Sequence, residues 1–292
     1  MTTQQKCPER IMVLANAAIP KACQLSDEVS QFLLSLSACV EKNQMNFDAD
    51  GDTLDLSGFD LLIALGGDGT MLRAGHLCAP QDIPLLGINA GRFGFLAELG
   101  AENWRDSLPR LISGEYRLEK RMMLRVNFKQ SGSLAGNWDV INELVVCRGQ
   151  YVRPIEVKVE INEGYLTSYI ADGLITATAT GSTAYALAVG GPILPPELRN
   201  VLLIPIAPHL SLDRAVILAE GASVCIHVQT SHEAVFSVDG HDSIPMHNGD
   251  LLQVTANQKS LKMVRFQDPA YFYKNLTSYM ENNPVIKTKN DA

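Results

Sequence analysis

A chain of 292 residues is longer than one hydrophobic core comfortably fills, so two domains, or one domain with a large lobe, are expected. With 46% hydrophobic and 19% charged residues the composition is that of an ordinary globular protein, and no apolar run reaches the roughly 18 to 20 residues of a membrane span, which argues against a membrane role. A net charge of −8 without a basic run argues against a nucleic-acid partner, yet leaves phosphate binding open, because backbone N–H groups at a helix start supply a positive field of their own.

The opening, MTTQQKCPERIMVLANA, carries no cleavable signal pattern, and a cytoplasmic location is expected. Its residues from Arg10 to Asn16 read as a short apolar strand. Leu25, Val29, Phe32, Leu33, Leu36 and Val40 then recur at helical spacing, with Ser26 as the expected cap. The stretch from Asn43 to Gly58 is polar and reads as a loop. Asp60 to Leu65 is a second strand, continuously apolar as in a strand covered on both faces. Thr70 to Ala79 reads as a helix, Ile83 to Asn89 as a third strand, and Glu102 to Gly114 as a further helix. Strands alternating with helices predict parallel βαβ units.

The character changes near Gly114. Short β-type runs follow between turn residues, among them MMLRVNF, IEVKVEIN, VLLIPIA and LLQVTAN, with Asp239-Gly240 and Asn248-Gly249 as turn signals. Within this half only Ser182 to Gly190 looks helical. PAYFYKNLTSYM, near the end, reads as a helix that packs back on the first domain, and the last residues, PVIKTKNDA, are expected to be disordered. The predicted architecture is an α/β N-terminal domain with a parallel sheet, residues 1–114 joined by 268–292, plus a β-rich C-terminal domain, residues 115–267.

Three stretches carry chemistry. In DLLIALGGDGTMLRAGHL, Gly66 and Gly67 end a buried strand, Asp68 stands at its carboxyl end, and Gly69 and Thr70 lead into a helix. That is where open α/β sheets bind ligands, and the geometry suits a polyphosphate held by amides with one carboxylate facing the reacting atom. It is neither a G-x-x-x-x-G-K-[ST] loop nor a G-x-G-x-x-G turn; both are absent from the chain. With no P-loop lysine, a kinase built on it needs Mg²⁺ or another divalent cation. A strand–turn–helix with Asp68 as a simple N-cap is the competing reading. In INAGRFGFLAEL, Phe93 or Phe95 could stack on a flat ring or lie in the core. Asn142-Glu143 points to opposite faces of a strand unless a bend turns both inward, and suits ribose hydroxyls or base edges. In YIADGLITATATGSTAYALAVGGPI, Asp172-Gly173 makes a turn and Gly181-Ser182-Thr183 opens a predicted helix, with Tyr185 placed to stack on a base. Six scattered cysteines form no C-x-x-C pair, and no two of the six histidines stand at metal-ligand spacing.

In set and order these motifs resemble the NAD kinase family: LGGDGTML, INAGRFGFL, the NE of INELVVCRG, DGLITATATGSTAYALAVGGPI and PIAPHLSLDR. GGDGT alone also occurs in lipid kinases of the diacylglycerol type and in phosphofructokinases, so a lipid or sugar kinase stays open, as does a nucleotide-binding regulator without turnover. The resemblance implies transfer of a phosphate from ATP or polyphosphate to the 2′-hydroxyl of the adenosine ribose of NAD⁺, in a homodimer or homotetramer whose domains hold the dinucleotide between them. It implies that Asp68 activates the ribose hydroxyl or organises Mg²⁺. Gly67, Gly69 and Thr70 would line the phosphate path, with Arg73 close by, and Phe95 would flank the adenine. Asn142 and Glu143 would hold the dinucleotide, and Asp172, Thr180, Thr183, Ala184 and Tyr185 would complete its pocket. Two positions depart from the family's usual pattern, Ala179 where proline is usual and Ala188 where serine is frequent.

Overall fold

The computed structural model describes residues 5–46, 54–91, 94–209 and 212–281. Phe93 and the terminal PVIKTKNDA, both singled out above, lie outside the described residues. The chain divides into two compact units, one made of Met1–Lys120 with Leu261–Ala292 and the other of Arg121–Ser260.

In the first unit, β1 (Arg10–Asn16) leads to α1 (Pro20–Ser35) and β2 (Cys39–Met45). Then come β3 (Leu61–Gly66), α2 (Asp68–Cys78), β4 (Leu85–Asn89), the two-residue β5 (Leu99–Gly100) and α3 (Trp104–Ile112). All pairings here are parallel: β2 on β1, β1 on β3, β3 on β4 and β5 on β4. Every residue of β3 is buried, as a strand covered on both faces requires. Leu61, Ile63 and Leu65 join Val13, Leu33, Trp104 and Leu108 in one core cluster.

Two local expectations are corrected. The first helix does not begin at Ser26, which is buried in its middle with its hydroxyl donating to the Cys23 carbonyl at 2.7 Å. It begins at Pro20, whose fixed φ suits the first helical position and whose missing N–H costs nothing there. The stretch from Asn43 is not all loop, because β2 extends to Met45. As an edge strand with one neighbour, β2 keeps a polar outer row, and Glu41 pairs with Arg10 at 2.9 Å.

The second unit begins within β6 (Arg117–Gln130) and ends within β17 (Leu251–Arg265), so the division falls inside two long strands. Between them run β7 (Ser133–Val140), β8 (Glu143–Arg148), β9 (Ile155–Ile161), β10 (Gly164–Ala171) and β11 (Gly173–Ala177). A 3-10 turn at Gly181–Thr183 and the one-turn α4 (Tyr185–Ala188) follow. The unit closes with β12 (Asn200–Ile206), β13 (Val216–Ala219), β14 (Val224–Gln229), β15 (Ala234–Val238) and β16 (Ile244–Met246). One antiparallel sheet has the order β13-β12-β11-β8-β15-β16, and β10, β9, β14 and β17 are neighbours in another. Inward residues of both, among them Leu144, Val146, Leu174, Val157, Ile226 and Leu252, share one core, which Phe128 and Trp138 enter against Phe236 at ring distances of 5.1 and 5.2 Å.

The predicted helix from Ser182 to Gly190 is broken at Ala184, which has φ −99° and ψ −125°. The Ser182 hydroxyl explains part of the break: it donates to the Ala179 carbonyl at 2.7 Å and accepts from the Leu194 N–H at 3.0 Å, which anchors the turn outside a helix. The terminal α5 (Tyr271–Glu281) belongs to the first unit, where Tyr271 and Phe272 are buried.

Candidate active site

Two groups of candidate residues assemble, one in each unit. In the first, α2 starts at Asp68 with Gly67 as its cap residue, so the aspartate stands in the first helical turn and not at the cap. Its carboxylate is the anchor of the next loop. The Phe95 N–H donates to Oδ2 at 2.9 Å and the Leu96 N–H to Oδ1 at 3.2 Å. The loop passes so close that a Cβ on Gly94 would collide with the carboxylate. A carboxylate offers about four acceptor sites, so two backbone bonds leave capacity for a ligand hydroxyl.

The glycines of the turn differ in kind. A Cβ at Gly66 would strike the Thr70 side chain, so packing requires that glycine. At Gly67 and Gly69 a Cβ would meet no atom within 4 Å, and neither has positive φ. Their bare backbone faces open space, which suits close approach of a phosphate. Thr70 is turned the other way: it is buried, and its Oγ1 accepts from Asn16 Nδ2 at 3.0 Å. Its side chain therefore braces the turn against β1. Arg73 and Phe95 are partly exposed, and the Phe95 backbone is one of the two donors to Asp68.

Behind the loop lies a buried ion network. Arg265 is fully buried; its Nη1 donates to Glu98 Oε2 and to the Leu96 carbonyl, both at 3.2 Å, and its Nε to Glu119 Oε1 at 3.1 Å. Burial alone would lower the pKa of Arg265, but the Glu119, Tyr271 and Glu98 charges outweigh it and hold the guanidinium above its ordinary range. Leu96 thus carries Arg265 on its carbonyl and Asp68 on its N–H.

In the second unit a bend at residues 141–142 precedes β8. The Asn142 carbonyl accepts the Thr178 N–H at 2.9 Å, and Thr178 Oγ1 donates to the Ile141 carbonyl at 2.6 Å while accepting the Gly181 N–H at 3.1 Å. A Cβ at Gly181 would collide with the Asn142 backbone, so a glycine is needed for this approach. The Tyr185 backbone N–H faces the Glu143 carboxylate and favours its charged form. The Tyr185 side chain is 42% exposed, and burial, Cys147 and Asp172 raise its pKa. Asp172 forms an ion pair with Arg148 Nε at 3.0 Å. Thr180 is buried and accepts from Arg121 Nη1 at 3.3 Å, and Thr183 Oγ1 donates to the Thr180 carbonyl at 3.2 Å. Asn142, Glu143, Asp172, Thr180, Thr183, Ala184 and Tyr185 are therefore held together within one unit.

Glu143 stands out electrostatically. It is 8% exposed, and its Oε2 has no partner among the described residues. Burial and the neighbouring Asp239 push its pKa up to about 8 from 4.5, against the opposing bond from Tyr185. The folded form therefore holds a proton that the unfolded chain loses near pH 4.5, and stability contributed by this group falls as pH rises from there to about 8. Glu143→Gln is expected to fold and to flatten that fall; melting temperatures of both proteins between about pH 5 and 8 measure it, and parallel curves would refute it.

The residue that sequence reading passed over is Asp239, seen there only as half of an Asp-Gly turn; its carboxylate accepts N–H groups from Ile141, Asn142 and Glu143. A turn dipeptide in a sequence shows nothing of what its side chain reaches 97 residues away.

The ATP-NAD kinase N-terminal domain family matches residues 21–116, and the ATP-NAD kinase C-terminal domain family matches residues 141–266. NAD kinases of Dehalococcoides mccartyi (strain CBDB1) and Chloroflexus aggregans are each 35% identical to the chain, over 94% of its length and 97% and 99% of theirs. The chain belongs to the NAD kinase family. Among solved structures, the fold is similar to that of an NAD kinase from Archaeoglobus fulgidus in complex with ATP, with a TM-score of 0.74 and 25% identity over 94% of this chain and 99% of that one. Yeast NADH kinase complexed with NADH shares it at a TM-score of 0.78 and 23% identity, over 99% of this chain and 90% of that one. The Asp68 turn falls in the N-terminal NAD kinase match, and the bend at 141–142, Asp172, Tyr185 and Asp239 fall in the C-terminal one.

Proposed function

We propose that this member of the family is an NAD kinase, transferring the terminal phosphate of ATP to the 2′-hydroxyl of the adenosine ribose of NAD⁺ to give NADP⁺ and ADP. Polyphosphate is the alternative donor. The observation that carries the reading is the Gly67–Gly69 turn: bare backbone on either side of a carboxylate that two amides hold in place.

A ribose hydroxyl is a weak nucleophile. Asp68 accepts its proton as the new oxygen–phosphorus bond forms and the bond to the leaving ADP breaks. Its backbone anchors keep the carboxylate where it must act, so little reorganisation is needed during the reaction. Gly67 and Gly69 let the donor phosphates approach, and Arg73 offers a cation to them. Asn142 and Glu143 hold hydroxyls of the dinucleotide, and Tyr185, partly exposed, offers its ring face to a base, with Phe95 in the same role for the adenine. Asp172, Thr180, Thr183 and Ala184 shape the walls of that pocket. Among the described residues no group of three or more His, Cys, Asp or Glu is placed to hold a metal ion. A divalent cation such as Mg²⁺, commonly bound by substrate phosphates and one or two carboxylates, would be held by the donor phosphates with Asp68 as the nearby carboxylate, and would supply neutralisation of phosphate charge. The six free thiols fit a reducing cytoplasm, and the enzyme acts as a homodimer or homotetramer with no nucleic-acid or membrane partner.

The test is an endpoint assay with NAD⁺, ATP and Mg²⁺, with NADP⁺ quantified by a strictly NADP-dependent dehydrogenase. Catalytic NADP⁺ that requires all three components supports the reading. Folded protein that makes none, with polyphosphate also tried as donor, overturns it.

A further inference from the structure

The bend at residues 141–142 has a cause 97 residues downstream. A chain that bends just before entering a sheet exposes consecutive N–H groups that no ladder satisfies. Here one carboxylate takes three of them. Asp239 Oδ2 accepts from the Ile141 N–H at 2.7 Å, and Oδ1 accepts from the N–H groups of Asn142 at 2.8 Å and Glu143 at 2.9 Å. The Asp239 N–H returns to the Glu143 carbonyl at 2.9 Å, which closes the contact in both directions.

Asp239 is buried, and its backbone is in the left-handed region at φ +50°, followed by Gly240 at φ +74°. Aspartate tolerates that conformation better than most residues. The turn therefore delivers an anion from the end of β15 to the start of β8, its neighbour in the sheet. Converging backbone N–H groups on an anion are among the stronger protein hydrogen bonds. Thr178 ties the carbonyl side of the same bend. Held on both sides, the bend leaves Glu143 Oε2 without a partner among the described residues, beside the partly exposed Asn142.

We propose that Asp239 is the positioning residue for dinucleotide binding: by gathering the N–H groups of residues 141–143 it sets the bend that presents Asn142 and Glu143 to NAD⁺. The inference rests on the NAD kinase reading. It assigns Asp239 no contact with the dinucleotide and no part in the phosphate chemistry, whose carboxylate belongs to the other unit.

Asp239→Asn tests it. The amide keeps one acceptor oxygen and turns an NH₂ toward donors, so the bend relaxes while the turn dipeptide stays favourable. The KM for NAD⁺ and the Kd for NAD⁺ from calorimetry are expected to rise about ten- to hundredfold, as small misplacements of binding groups do. The KM for ATP and the kcat at saturating NAD⁺ are expected to stay within about threefold of the wild type. Should Asp239→Asn fail to fold, Asp239→Ser, with one acceptor and no amide, is measured in its place. A folded variant with unchanged KM and Kd for NAD⁺ overturns the proposal. So does a variant in which both KM values and kcat deteriorate together, the pattern of a general structural loss. The wild type separates the two readings: if it makes NADP⁺ and the variant equals it, only the positioning role falls, whereas a folded wild type that neither makes NADP⁺ nor binds NAD⁺ takes both down.

Discussion

Asp68→Asn is expected to lower kcat by about 10²- to 10⁴-fold, the usual contribution of a positioned general base. The substitution preserves shape and removes the charge and one acceptor. One of the two anchors, from Phe95 or Leu96, is lost, which costs about 1–2 kcal/mol and leaves the chain folded. Because the loop is tied to the same carboxylate, the KM for ATP should rise modestly as well. Steady-state kinetics with both substrates saturating, beside a thermal melt, decides the matter. Near-full turnover would remove Asp68 from proton transfer and reduce it to a loop anchor.

Arg265→Ala is expected to destabilise the protein by about 3–5 kcal/mol, the cost of leaving buried partners of an ion pair without their counter-charge. Glu98 and Glu119 are both buried, and Arg117 stands 3.3 Å from Glu119. The Glu98 carboxylate also accepts the N–H of Phe266 at 2.8 Å, so the damage spreads to the segment leading into α5. Urea unfolding measures the loss. A variant within about 1 kcal/mol of the wild type would mean that the two carboxylates take up protons and need no cation. Activity should fall too, since Arg265 holds the carbonyl of Leu96 whose N–H anchors Asp68.

The parts of the fold that could be read from the sequence are those where one local cause dominates. β3 announces itself as six apolar or small residues, and the glycines after it mark the turn. The α/β half and the β-rich half separate because the spacing of apolar residues changes near Gly114. β2 escaped because an edge strand needs few apolar residues, and CVEKNQM looks like loop until a neighbour supplies its hydrogen bonds. Ser26 misled because a serine can bond its own helix backbone as readily as cap one. In the candidate site, Asp68, Asn142, Glu143 and Tyr185 could be singled out from their residue types and neighbours. The inward turn of Thr70, the break at Ala184 and the reach of Asp239 were not, because each depends on a partner distant in sequence or on backbone angles that several residues share. The sequence offers Asn142-Glu143 as a pair; what bends the pair is written elsewhere in the chain.

The first unit is discontinuous, and this bears on how the protein is made. Its strand at Met263, which pairs with Leu85 of β4, and the guanidinium between Glu98 and Glu119 come from residues synthesised after all of 121–260. The second unit is one continuous stretch and can fold as it leaves the ribosome. The first is completed later: until Arg265 emerges, Leu96 lacks its carbonyl partner and the two buried carboxylates lack this cation. Once residues up to 260 are free of the ribosome, the bend held by Asp239 can form while the loop at Asp68 still lacks Arg265 behind it. Order of translation thus leaves the loop at Asp68 to be completed last, when the final strand is in hand.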